Sequence, residues 1–124
     1  GALLSSGRNM REQRRNALLH AELVAIGRAC RKTGAWRLNG CELFVTLEPC
    51  PMCAGAIINS RISRVVYGCS DPKAGAYGSV VDLRQYAFNH YYTVEGVLEA
   101  DCAAILREFF AALRLDKKRA RERG

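Results

Sequence analysis

No stretch of this sequence approaches the roughly 18 consecutive apolar residues that a membrane-spanning helix needs. Its first residues, Gly1-Ala2-Leu3-Leu4-Ser5-Ser6, lack the basic start and apolar run of a secretory signal. With only three prolines and eleven glycines among 124 residues, the chain is neither collagen-like nor linker-like. A charged fraction of 25% beside 49% hydrophobic residues argues against disorder. There is no internal repeat, and the one biased segment is a basic tail. A second C-x-x-C is absent, and so is any H-x-x-x-H pair.

What is present fits one domain spanning residues 1–124. A chain of this length can remove roughly two-thirds of its unfolded surface from water, so disulfide staples are not required. The six cysteines are Cys30, Cys41, Cys50, Cys53, Cys69 and Cys102, and only Cys50 and Cys53 are closely spaced. The others read as small buried residues of a reducing compartment, and a cytoplasmic location is expected.

The net charge of +7 is not spread evenly. Residues 8–15 hold four arginines against Glu12, and residues 114–124 hold six lysines or arginines against Asp116 and Glu122. Between them, basic and acidic side chains balance. Two short basic segments suit a polyanion, since each neutralised phosphate releases condensed counterions. They equally suit a solvated helix end and a frayed tail.

Hydrophobic patterning places alternating strands and helices along the chain. Leu3-Leu4 reads as the remains of a strand, followed by a polar loop. Leu19, Leu23, Ile26 and Cys30 recur at helical spacing, predicting a helix that stops before Gly34. Residues 41–47 suit a buried strand, 50–59 a short helix opening at the cysteines, and 64–69 a second buried strand. Residues 70–79 form a turn-rich loop long enough to be functional, and 80–84 allow one helical turn. A last strand is expected over 93–98. An amphipathic helix follows over 99–115, with Cys102, Ile105, Leu106, Phe109, Phe110 and Leu113 on its apolar face. Such alternation implies a three-layer α/β domain with a largely parallel sheet.

His20-Ala21-Glu22 and Pro49-Cys50-Pro51-Met52-Cys53 both fall at predicted helix N-termini. Cys50 and Cys53, three residues apart, share a helix face and can bite one metal, and the helix dipole favours their thiolates. With His20 the set has three ligands. Structural zinc sites are closed by four protein ligands, whereas catalytic ones keep a position for water. Zinc lowers the pKa of that water to roughly 7, and Glu22 stands ready as a proton shuttle that is not itself a ligand.

This H-x-E…P-C-x-x-C pattern resembles the zinc-dependent nucleobase deaminases of the cytidine deaminase superfamily, and within it the bacterial tRNA-specific adenosine deaminases. The resemblance rests also on Leu47-Glu48-Pro49, Ala54-Gly55-Ala56, Ser60-Arg61-Ile62, Arg64-Val65-Val66-Tyr67-Gly68, Asp71-Pro72-Lys73-Ala74-Gly75, Gly78-Ser79, Phe88-Asn89-His90 and Phe109-Phe110. It implies a three-layer α/β/α cytidine-deaminase-like fold with a mixed, mostly parallel central sheet. It implies one Zn2+ per subunit held by His20, Cys50 and Cys53, proton transfer by Glu22, and a homodimer acting on a tRNA anticodon stem-loop. The implied reaction is hydrolytic conversion of the wobble adenosine to inosine: zinc-bound hydroxide attacks, and ammonia leaves. Asn9 and Ala21 are expected against the flipped base, the Asn9 amide offering donor and acceptor together. Asp71, Lys73 and Asn89 are expected along the nucleic-acid groove, and Arg114, Lys117 and Lys118 against the tRNA stem. The dimer finds support in apolar residues 54–58, which could face a partner.

The sequence departs from the family twice. Asn16-Ala17-Leu18-Leu19 stands where an Asp-Pro-Thr-Ala type run is usual, giving a bulkier pocket wall. The family's first helix and first strand are missing, which would leave sheet and apolar surface bare, so a longer natural N-terminus or a trimmed one is expected. Three other readings compete. A guanine or cytosine free-base deaminase shares the motifs but has less need of basic segments. A thioredoxin-like cysteine pair leaves His20-Ala21-Glu22 unexplained. A nucleic-acid-binding module with structural zinc needs a fourth ligand, for which His90 and Cys69 are the loose candidates.

Overall fold

The computed structural model describes residues 3–86 and 88–97. In chain order they form a short helix α1 (Arg11–Arg14), a long helix α2 (Ala21–Thr33), strand β1 (Glu42–Leu47), helix α3 (Pro51–Asn59) and strand β2 (Arg64–Cys69). A 3₁₀ turn (Leu83–Gln85) and strand β3 (Thr93–Gly96) complete the order. The strands make one sheet in the order β1-β2-β3, parallel throughout.

Register fixes which side chains share a face. Leu43 pairs with Val65 and Val65 with Val94, so these three lie in one row across the sheet. Ala29 of α2 and Ala54 and Ile57 of α3 pack on that row, joined by Leu38, Ile62, Ala76 and Tyr77. Ile57, Val65 and Cys53 are fully buried. Tyr77 sits with its ring 6.3 Å from Tyr67 and 6.2 Å from Tyr92, and His90 stacks on Tyr92. On the opposite face Glu42 pairs with Arg64, while Glu95 stands one pair further along beside Val66, and Arg64 bonds to both carboxylates at 3.0 Å.

Several sequence expectations change here. Leu3-Leu4 is not a strand: Ser5 donates to the Ala25 carbonyl and Arg28 to the Ser6 carbonyl, so the N-terminal segment runs along α2 and Leu4 joins the core. Strand β1 is not buried on both faces, since Glu42, Phe44 and Thr46 are exposed and Phe44 reaches 66%. Ala54, Ile57 and Ile58, expected to face a partner, are buried within the chain itself. The polar loop before His20 contains α1, and the turn expected over 80–84 closes as 3₁₀ at Leu83–Gln85. The helix expected over 99–115, the third layer it would supply, and Cys102 lie outside the described residues.

Candidate metal centre

Two helix starts build the site. His20 is the N-cap of α2, with an extended backbone and no side-chain capping bond, which leaves its ring available. Cys50 is the N-cap of α3, followed by Pro51 at the first helical position, where a missing N–H costs nothing. Gly34 ends α2 in the left-handed conformation that closes such helices. Both α2 and α3 pack on the Val65 row of the sheet, so their N-termini are held together.

His20 Nδ1 lies 3.6 Å from Cys50 Sγ and 3.5 Å from Cys53 Sγ. Zinc–sulfur bonds of about 2.3 Å and zinc–nitrogen bonds of about 2.0 Å at a tetrahedral angle put N and S about 3.5 Å apart. The donor set therefore has the spacing a zinc ion requires. Among the described residues it is the one cluster of three or more potential ligands. Burial pushes the Cys53 thiol up, and the nearby negative charge of Glu22 and the Cys50 sulfur push it further. A bare thiolate is disfavoured there, and a divalent cation is what such donors need to lose their protons.

Glu22 stands in the first turn of α2, close enough to Cys53 for its charge to act on the thiol. The third donor distinguishes the site from a two-cysteine redox centre. His90 is elsewhere: its Nε2 meets the Ile62 carbonyl at 2.6 Å. Cys69 is buried at the end of β2 and is not part of the cluster, so neither loose candidate for a fourth ligand joins the set.

The segment carrying Asn9 reaches the site through Met10, whose N–H donates to the Leu19 carbonyl at 2.9 Å. The Asn9 side-chain oxygen accepts from the Arg11 amide, and the residue is exposed. Arg8, Arg11, Arg14 and Arg15 are exposed around it. Ala21 is half-buried at the start of α2, Leu19 is half-buried and Leu18 is exposed. Asp71 uses one carboxylate oxygen to cap its own turn, accepting from the Lys73 and Ala74 amides. Lys73 is exposed, and Asn89 is exposed in a left-handed turn with φ 57°. Arg114, Lys117 and Lys118 lie outside the described residues.

Sequence reasoning assigned no role to Glu48, which is only 2% exposed. Its carboxylate accepts from the amides of Asp71, Tyr77 and Ser79 and from the Ser79 hydroxyl. Burial pushes the carboxyl up, but the Ser79 hydroxyl and the three amides outweigh it and hold it below the ordinary carboxylate range. A carboxylate between Leu47 and Pro49 was the available signal.

Comparison with known proteins agrees with this geometry. The family model described as MafB19-like deaminase matches residues 2–114. A tRNA-specific adenosine deaminase of Bacillus subtilis is 47% identical over 98% of this chain and 77% of its own length. A solved structure from work on A-to-I editing by tRNA:A34 deaminases at the wobble position of transfer RNA superposes with TM-score 0.80. It is 39% identical and covers 85% of this chain and 78% of that one. A guanine deaminase structure from Nitrosomonas europaea is 28% identical with TM-score 0.69, covering 85% of this chain and 64% of that one.

Proposed function

The chain belongs to the MafB19-like deaminase family, alongside tRNA-specific adenosine deaminases, and on that premise we propose that it hydrolyses the wobble adenosine of a tRNA anticodon to inosine and ammonia. The observation that carries this reading is the single His20 nitrogen set almost equally far from two cysteine sulfurs, with Glu22 beside them. His20, Cys50 and Cys53 would hold one zinc ion per chain. Bound there, zinc supplies Lewis acidity and brings the pKa of water to roughly 7.

The remaining work belongs to the chain's own groups. Glu22 takes the proton from the attacking water and passes it to the departing amine, which leaves as ammonia. The Asn9 amide presents donor and acceptor to the purine edge, against Ala21 at the start of α2. The target nucleotide must leave its stack, because the amino-bearing carbon cannot be reached in a stacked base. Lys73, Asn89 and the exposed arginines of residues 8–15 then face the RNA, together with Arg114, Lys117 and Lys118. A homodimer in the cytoplasm completes the reading; among the described residues no helix is long and apolar enough to cross a membrane.

Zinc-loaded protein incubated with an anticodon stem-loop bearing a wobble adenosine should yield inosine, while free adenine, guanine and cytosine stay unchanged. Turnover of guanine with no inosine in the stem-loop would replace this reading with the free-base one, which the Nitrosomonas europaea likeness keeps in view.

A further inference from the structure

The Glu48 carboxylate is buried, has no salt-bridge partner among the described residues, and points its oxygens at a loop far along the chain. Its Oε1 accepts from the Asp71 amide at 3.2 Å and from the Ser79 hydroxyl. Its Oε2 accepts from the Tyr77 amide at 2.8 Å and the Ser79 amide at 3.4 Å. Both ends of the 71–79 segment, and Tyr77 near its second end, are thus tied to one side chain. The backbone next to it continues the tie: Ala76 N–H donates to the Pro49 carbonyl at 2.9 Å, one residue before Cys50. Gly75 completes the fit, since a Cβ there would run into the Glu48 carboxylate and lie 2.7 Å from the Asp71 carbonyl.

Only a carboxylate satisfies this arrangement. It accepts at both oxygens and donates nothing, matching three backbone N–H groups, which can only donate, and a hydroxyl that donates to it here. An amide of the same shape would turn its NH2 group towards at least one backbone N–H, that of Asp71 or that of Tyr77, leaving that N–H unpaired in a buried place. No direct reach to substrate is involved.

We infer that Glu48 is a positioning residue that clamps the 71–79 loop against the start of α3, beside Cys50, so that Asp71 and Lys73 meet the RNA while the reacting groups are untouched. This rests on the reading of that loop as an RNA-facing wall. Its consequence is a division of labour around Pro49. The side chain before it holds the binding loop, and Cys50 after it holds the metal.

The test uses the full zinc-loaded chain with Glu48→Gln and Ser79→Ala, following amide hydrogen exchange, zinc content, and KM and kcat on the stem-loop. Glu48→Gln should speed exchange at Asp71, Tyr77 and Ser79 by about tenfold or more, the scale of a lost charge-assisted hydrogen bond. Amides of β1 and β2 should be unchanged and zinc should stay at one per chain. KM should rise about tenfold while kcat stays within about threefold, the pattern of lost binding rather than lost chemistry. Exchange unaltered at the three amides, or raised equally through the sheet, overturns the inference, as does a collapse of kcat at constant KM. Should Glu48→Gln not fold, Ser79→Ala decides: faster exchange at Asp71 and Tyr77 with zinc retained supports the clamp, and no change refutes it. A wild-type chain inactive on the stem-loop would count against the proposed reaction alone, and exchange with zinc content would still judge Glu48.

Discussion

An imidazole nitrogen has one lone pair and cannot accept a well-aligned hydrogen bond from two thiols at once. That is why the two nearly equal distances from His20 Nδ1 point to a cation at their centre. In the proposed reaction Glu22, beside this set, moves protons without holding the metal. Glu22→Ala should therefore cut turnover about a thousandfold, within the usual range for a general acid–base group. Zinc analysis of the same variant should still give one ion per chain, and loss of the metal would show Glu22 to be a ligand. Cys50→Ser should do the reverse at its origin, releasing zinc and with it all activity, because a hydroxyl does not replace a thiolate as a ligand. Metal content measured after gel filtration separates the two cases. The grouping of His20, Cys50 and Cys53 was legible in the sequence because its pattern is local: a donor pair three apart and a histidine two before a glutamate, each opening a helix. Glu48 was not, since its partners lie 23 to 31 residues away and no spacing rule joins them. Asp71 shows the opposite limit, a carboxylate whose own turn already uses one oxygen.

Among the elements, β2 was readable to the residue, because its run of Val65, Val66 and Tyr67 between Arg64 and Cys69 suits a central parallel strand. β1 has similar composition but sits at the outer position of the three strands, and Glu42, Phe44 and Thr46 point away from the helices. Composition alone does not distinguish a central strand from an outer one. The N-terminal segment was misread for a related reason, since two leucines suggest a strand only if a partner strand is there to pair. Its actual support is α2, approached so closely at Gly7 that a Cβ would lie 2.7 Å from both the Ala21 carbonyl and the Ala25 nitrogen. Gly7→Ala must push the segment off the helix. Urea unfolding should show a loss of about 1–3 kcal/mol, the cost of forcing a methyl into a closed contact. Because the same segment leads to Asn9, the variant should also weaken substrate binding more than zinc binding. Unchanged stability would mean that the segment is not seated on α2 in solution.

At the scale of the whole molecule, charge is the property by which the proposed metal centre would be linked to a large anionic substrate. The exposed arginines of residues 8–15 sit on the segment that Met10 fastens to Leu19, directly before His20. Their excess of charge is therefore beside the chemistry, and its position could be inferred only once the fold brought that segment to the site. A free base carries no phosphates and gains nothing from such a cluster. An anticodon stem-loop brings many, and each phosphate contact contributes about 0.7 to 0.9 to the slope of log affinity against log salt. Replacing Arg11, Arg14 and Arg15 together by alanine should flatten that slope by about two units and raise KM on the stem-loop most at low salt. Zinc content and unfolding midpoint should stay near wild type, because α1 contributes no buried residue. A salt dependence identical in wild type and triple variant would place the RNA elsewhere on the protein and leave these arginines as a solvated surface.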